Sequence, residues 1–461
     1  MDGSSLADRD KAYSFHPFTN LEAHGREGPL VIVEGKGVRV FDEAGRAYIE
    51  GMAGLWCTAL GWGEERLVEA ATRQMRRLAF YHGFNGRAHD RGIELAEALV
   101  SVAPAPLARV FFAGSGSEAN DTAVKLVWYY NNALGRPAKK KIIARRKGYH
   151  GVTVAAASLT GLPHLHRAFD LPIEGVLHAD CPHHYREAAP GEGEEDFATR
   201  LAEALDRMIL AEGPDTVAAF VAEPVMGAGG VIVPPRTYFE KVQAVLRRHD
   251  VLMIADEVIS GFGRTGNLFG CETFGIRPDV MTVAKALSSA YVPIAAVLVS
   301  EPIYRAVAEQ SGKVGTFGHG YTYSGHPVAA AVALEALAIY RERDVVGHVR
   351  RVAPRLQDGL RRLAGHPLVG EVRGVGLIAG VELVRDKATK APFDPAAGVG
   401  ARLVRHAQAR GAILRAMGDS IGFSPPLVIE EAEIDELVAI FAAALDDTLA
   451  WARECGMASP P

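Results

Sequence analysis

The chain has 461 residues, 48% of them hydrophobic and 23% charged, with a net charge of −5 from 50 basic and 55 acidic residues. That balance excludes a basic nucleic-acid surface and any pull toward anionic membranes. A chain of this length predicts two or three domains and buries enough surface to need no disulfide or metal staple.

Four cysteines without CxxC spacing (Cys57, Cys181, Cys271, Cys455) read as reduced thiols. The polar start "MDGSSLADRDKAYS" reads as no signal peptide, and no apolar run approaches the ~18 residues of a membrane helix. The expected location is cytoplasmic.

In chain order, "LVIVEGKGVRVFD" predicts strands near the N-terminus. "RVFFA" (Arg109–Ala113) predicts a strand followed by a helix from Glu118 to about Leu134. "KIIA", "VAAFVAE" (Val217–Glu223), "VLMIAD", "VMTVA" and "IAAVLVS" (Ile294–Ser300) are further short apolar runs, with amphipathic stretches such as Tyr238–Arg248 between them. Strands alternating with helices predict an α/β fold around a mostly parallel sheet covered on both faces. "APGEGEED" (Ala189–Asp196) reads as a solvated loop.

After about Gly325 the pattern changes. Two long helices (His326–Arg343 and Val346–Leu363), strands around Gly-rich turns in "LVGEVRGVGLIAGVELV" and a last helix (Glu431–Arg453) predict a smaller α+β domain. The expected division is a large domain over residues 51–325 and a small one built from 1–50 and 326–461.

Three strand ends carry ionisable groups: Glu223, Asp256 and Lys285. A buried carboxylate is costly without a cation or hydrogen-bond donors. In open parallel sheets ligands bind beyond the carboxyl ends of the strands, so these three are expected at one rim. Side chains alternate along a strand, which aims the neighbouring Glu257 elsewhere. Lys285, between apolar runs, has the setting that lowers an amine's pKa and makes it a nucleophile toward carbonyls.

The Gly114-Ser115-Gly116-Ser117 turn between strand and helix suits a phosphate, with glycines admitting the ligand and helix N–H groups facing it. It also fits G-x-G-x-x-A, the dinucleotide pattern. The next strand, in "KIIARRK", ends in cations, which leaves only an NADP version of that alternative. A plain turn with Ser117 as helix cap is a third reading. A carboxylate for a pyridinium nitrogen, a Schiff-base lysine and a phosphate cradle are together what pyridoxal phosphate requires.

"GSGSEAND", "GYHG", "AEPVMGAGGV", "ADEVISGFGRTG", "TVAKALSS" and "HGYTYSGHPVAAA", in that order from Gly114 to Ala331, resemble the class III, omega-type aminotransferases of pyridoxal-phosphate fold type I. "GMAGLWC" and "LRAMGDSIGFSPPL" extend the resemblance over most of the chain, toward the amine:pyruvate and omega-amino-acid:pyruvate branch.

The resemblance implies a role for each matching residue. Lys285 carries the Schiff base and later moves the proton, while Asp256 pairs with the pyridinium nitrogen. The Ser115-Gly116-Ser117 turn holds the phosphate through the Ser117 hydroxyl and the N–H groups of Gly116 and Ser117, with Thr322 reaching it from a partner subunit. Tyr149 stacks on one ring face, Val258 packs on the other, and Glu223 lies near the ring hydroxyl. Arg415 is the mobile arginine for a substrate carboxylate, which its planar fork binds through two hydrogen bonds. Phe18, Trp56, Phe84 and Tyr149 match substrate-wall positions.

The implied protein is a homodimer with shared active sites. It moves an amino group from an amine or omega-amino acid to pyruvate, giving an aldehyde or ketone and alanine. An aminomutase, a decarboxylating transaminase, an NADP dehydrogenase and a non-catalytic cofactor-binding protein are the alternatives.

Some segments depart from the pattern. Ala286, Ala290 and Ile294-Ala295-Ala296 stand where relatives often carry glycine and methionine, beside the lysine. "CPHH" (Cys181–His184) lacks a second ligand cluster, so no metal is assigned. "KKKIIARRK" reads as a strand flanked by solvated charges. "RGVGLIAG" (Arg373–Gly380) fits the dinucleotide pattern but runs into a strand.

Overall fold

The computed structural model describes residues 5–457. The expected outer ends of the small domain, residues 1–4 and 458–461, lie outside them.

Seven strands form the central sheet, in the order Leu107–Ala113, Ala295–Ser300, Val280–Val283, Leu252–Asp256, Val217–Ala222, Lys141–Arg145, Val176–Ala179. Only Ala295–Ser300 runs antiparallel to its neighbours. Val217–Ala222, Val280–Val283 and Ala295–Ser300 are buried along their whole length. A strand covered on both faces has no solvent side, which is why these segments read as unbroken apolar runs.

Helices cover the sheet. Gly116–Ala133 follows the Gly-rich turn, and Tyr238–Arg248 has the expected limits. Glu194–Glu212 begins inside the predicted surface loop, because Glu194, Glu195 and Asp196 supply the negative charge that a first helical turn favours. Two of the flanking cations are also not solvated. Arg145 is fully buried, donating to the Glu223 carbonyl and lying over the Tyr238 and Phe239 rings, and Lys139 donates to the carbonyls of Pro214 and His249.

Both chain ends build the remaining sheets. Ile32–Lys36, Arg39–Asp42 and Ala47–Glu50 are joined by Ala412–Ile413, which pairs parallel to Ala47–Glu50. The other sheet is Val369–Val375, Ile378–Leu383, Ser420–Phe423 and Arg415–Met417. The "RGVGLIAG" segment makes the hairpin of that sheet, with Gly376 at φ +58°, so its glycines serve a turn and no helix follows. Pro327–Glu342, Val345–Arg361 and Glu431–Glu454 are the three long C-terminal helices.

Candidate active site

A cleft of about 620 Å³ opens beyond the ends of the central strands. Asp256, Lys285 and Glu223 all line it, as do Gly116, Ser117, Tyr149, Val258, Phe18, Trp56 and Arg415. Strand pairing brings the first two together, since Asp256 lies opposite Thr282, three residues before Lys285. A wider cleft of about 1570 Å³, along Pro234–Glu240 and Arg373, contains none of the predicted site residues.

Asp256 is almost wholly buried and fully hydrogen-bonded. Its Oδ2 accepts from Asn120 Nδ2 and His150 Nδ1, both at 2.8 Å, and its Oδ1 accepts from the Val258 N–H at 3.1 Å. Each such bond to a carboxylate is worth about 1.5–3 kcal/mol. Asn120 is itself fixed by donating to the His150 carbonyl and accepting from Thr282. The buried His150 Nε2 has no partner.

Glu223 is held as firmly, Oε1 accepting from the Tyr149 N–H and Oε2 from the Gly227 N–H, both at 2.9 Å. Burial pushes its carboxyl pKa up, against the pull of His150. Glu257 faces away from the cleft, as alternation requires. It accepts from Ser260 and from the N–H groups of Gly270 and Cys271.

Lys285 opens a short 3-10 turn with its backbone in the left-handed region, φ +50°. Trp56 (φ +66°), Phe18 (φ +50°), Ser289 (φ +51°) and Ala290 (φ +63°) share that region, which costs an L-residue about 1–2 kcal/mol. Strain of this kind gathers where surrounding structure imposes a functional geometry. Solvent reaches Lys285 only in part; burial lowers its ammonium pKa, with Asp256 the strongest opposing influence. The result is an amine nearer its neutral, nucleophilic form.

The helix Gly116–Ala133 points its first turn at the cleft, and its first N–H groups have no carbonyl of their own helix to meet. The cap is Ser115, not Ser117: Ser115 Oγ accepts from the Glu118 N–H, while Ser117 Oγ accepts from the Val152 N–H. Spent in this way, Ser115 is not on the cleft wall. A Cβ at Gly116 would lie 3.1 Å from Val258, so glycine there keeps the helix start open to a ligand.

At the other side Phe18 meets Tyr149 edge-on, ring centres 6.2 Å apart. Burial lowers the Arg415 pKa and raises that of Tyr149, while each pulls the other back. Among the described residues no carboxylate pairs with Arg415.

Besides Ser115, two predicted site residues stand apart from this cleft. Phe84 is exposed, its ring against Gly320, and Thr322 lies in an exposed turn two residues beyond that glycine. The alanine-rich segment after Lys285 also leaves the wall alone: Ala286 is buried and accepts from Tyr340, and Ala295–Ser300 is a core strand. "CPHH" gathers no ligands, since His183 faces Glu371 and His184 the Glu192 carbonyl. Asn120 and His150 were not singled out from the sequence, although both lie inside quoted motifs. Asn120 sits one helical turn after Gly116, a spacing that signals the same face.

These groups fit pyridoxal phosphate: a buried acid bonded to a buried imidazole, an amine of lowered pKa, and an open helix start. The chain matches the family described as Aminotransferase class-III over residues 22–445 and belongs to that family of pyridoxal-phosphate-dependent aminotransferases, with fold type I. It is 56% identical over 421 residues to gamma-aminobutyrate transaminase 1, mitochondrial, of Oryza sativa subsp. japonica, covering 91% of this chain and 82% of that one. Among solved structures, the omega transaminase from Pseudomonas jessenii in complex with PMP is 56% identical with a TM-score of 0.96, covering 97% of this chain and 99% of that one. A structure described as a transaminase with L-ala is 59% identical with a TM-score of 0.90, over 92% of this chain and 100% of that one. The dehydrogenase alternative is thereby overturned.

Proposed function

We propose that this aminotransferase carries an amino group from an amine or omega-amino acid to pyruvate, releasing an aldehyde or ketone and alanine. The observation that carries the reading is the guanidinium of Arg415, unpaired among the described residues, in the same cleft as Lys285. A half-buried cation without a counter-ion favours a substrate that brings its own carboxylate. The relative acting on gamma-aminobutyrate, an omega-amino acid, and the neighbour crystallised with L-alanine support the two halves of this reading.

Pyridoxal phosphate, when bound, supplies an electron sink for the carbon that loses its proton and stores the amino group between the two halves of the reaction. Asp256, backed by Asn120 and His150, presents a fixed negative charge for the ring nitrogen. Gly116 and Ser117 would hold the phosphate at the helix start, Tyr149 and Val258 would confine the ring, and Glu223 would serve its hydroxyl side. Lys285 Nζ is the amine that would hold the cofactor covalently, and as a free base it would take a proton from the substrate's reacting carbon. Arg415 orients the keto acid through its carboxylate, and Phe18 and Trp56 keep water from the reacting atoms.

In this reading the protein is a homodimer. Phe80, Tyr81, Phe84 and Tyr323 expose aromatic surface, and Phe80 and Tyr323 meet with ring centres 5.8 Å apart. Phe84, Thr322 and their loops then complete the partner's cleft. Residues 51–325 act as the cofactor-binding domain, and both chain ends as the small domain that carries Arg415. No described helix is long and apolar enough to cross a membrane. Cytoplasmic residence belongs to the proposal, and relatives carry mitochondrial or chloroplastic names.

Purified holoenzyme given an omega-amino acid and pyruvate tests the reading. The expected products are alanine and the matching aldehyde in equal amounts, with one turnover when pyruvate is withheld. Rearranged amine formed without acceptor marks an aminomutase, and released carbon dioxide marks a decarboxylating enzyme. Either result overturns the proposal.

A further inference from the structure

We propose that Asp10, His16 and His24 form a divalent transition-metal site of the zinc class that fastens the N-terminal arm over the cleft. The arm consists of the helices Leu6–Tyr13 and Leu21–Glu27, and neither buries a residue. With so little apolar burial to hold it, polar side-chain contacts decide where it sits.

One cluster ties the two helices together. His16 Nε2 lies 2.8 Å from Asp10 Oδ2 and 2.9 Å from Oδ1, and His24 Nε2 lies 2.9 Å from the same Oδ2. The imidazoles are 4.1 Å apart, centre to centre, and all three ligand atoms fall within 4.8 Å of one another. The His24 side chain is only 10% exposed, so the cluster is sheltered.

Two imidazoles and a carboxylate are ligands for zinc, cobalt or nickel, whereas calcium and magnesium favour oxygen alone. Around a tetrahedral ion at roughly 2.0–2.2 Å, ligand atoms stand about 3.3–3.5 Å apart. The two nitrogen-to-carboxylate spacings need open by only about half an ångström, which side-chain rotation on a lightly packed arm allows. A fourth position is left for water.

The site's place gives it a consequence. His16 is followed directly by Pro17 and Phe18, both on the cleft wall, and Phe18 abuts Tyr149. An ion drawing His16 toward His24 holds that wall in place and damps opening of the arm.

The test uses holoenzyme stripped of adventitious ions and dialysed against Zn²⁺ or Co²⁺ alone. The chain is expected to bind one more ion than His24→Gln or Asp10→Asn, and to show the visible absorption of four-coordinate cobalt. The control His164→Gln, at an exposed histidine outside the arm, keeps that ion. Tryptic cleavage at Lys11 and Arg26 should slow about tenfold when zinc stands about tenfold above its Kd, in the parent and control but not in the two arm variants. Equal ion content in parent and His24→Gln overturns the proposal and leaves two imidazoles donating to one carboxylate. Binding without protection of the arm overturns the fastening role.

Discussion

Asp256 and Arg415 face one cleft under opposite regimes. The acid is enclosed by three donors, two of which are themselves held by further hydrogen bonds. The guanidinium, on the short strand Arg415–Met417, has no acid to answer it among the described residues. A group that serves every turnover in one position gains from being immobilised. One that serves a carboxylate in one half-reaction and an uncharged amine in the other gains from being left unpaired.

Glu50 shows what enclosure with fewer donors does. It is buried, accepts from the Gly54 N–H, leaves Oε1 without a partner among the described residues, and has a pKa pushed up to about 7 by burial. Asp256 differs from it in the supply of donors, since both are 3% exposed.

The largest effect should come from Lys285→Ala. Turnover should fall at least about a thousandfold, and borohydride should no longer fix cofactor to the chain, because no other amine takes the lysine's two roles. Next comes Asp256→Asn, which removes the negative charge and sets an amide donor against those of Asn120 and His150. Transamination should drop about a hundredfold to a thousandfold, measured as single-turnover rate. A near-normal rate would mean that the enclosure serves stability alone.

Glu50→Gln tests the same comparison through pH. A carboxyl whose folded pKa is raised from 4.5 to about 7 binds more protons folded than unfolded between those values, so stability falls as pH rises through that window. The glutamine variant should lose about 3 kcal/mol of that pH dependence, read by denaturant unfolding at pH 5 and pH 8. Arg415→Gln should raise KM for pyruvate about thirtyfold, the worth of a charge-assisted pair, while leaving the half-reaction with a carboxylate-free amine within about twofold. The smallest effect is Ala290→Gly, which relieves a left-handed alanine at φ +63° and should stabilise by less than about 1 kcal/mol, seen as a small rise in Tm.

Much of this was legible in sequence because a strand buried on both faces admits almost no polar residue. Asp256 and Lys285 therefore stood out at the ends of their runs, and their convergence follows from parallel pairing. The donors around Asp256 did not stand out. Asn120 and His150 come from a helix and a loop, and only packing brings them to the same oxygen. Ser115 and Ser117 are equally good caps by composition, and the backbone geometry of the turn chose the first. Arg145 read as solvated because charge pattern alone does not reveal that two aromatic rings and a strand-end carbonyl wait for it. Phe84 and Thr322 lie away from the cleft in a single chain, so their place depends on assembly.

Ile413 lies opposite Glu50 in a four-stranded sheet, joining positions more than three hundred and sixty residues apart. Trp56 and Arg415, on the cleft wall, are almost as distant. During synthesis the early strands therefore wait, with an unpaired edge, for a segment the ribosome delivers more than three hundred and sixty residues later. The cleft is complete only once the chain has been made through Arg415, so a nascent fragment carrying Lys285 and Asp256 holds that pair before it holds the whole cleft wall.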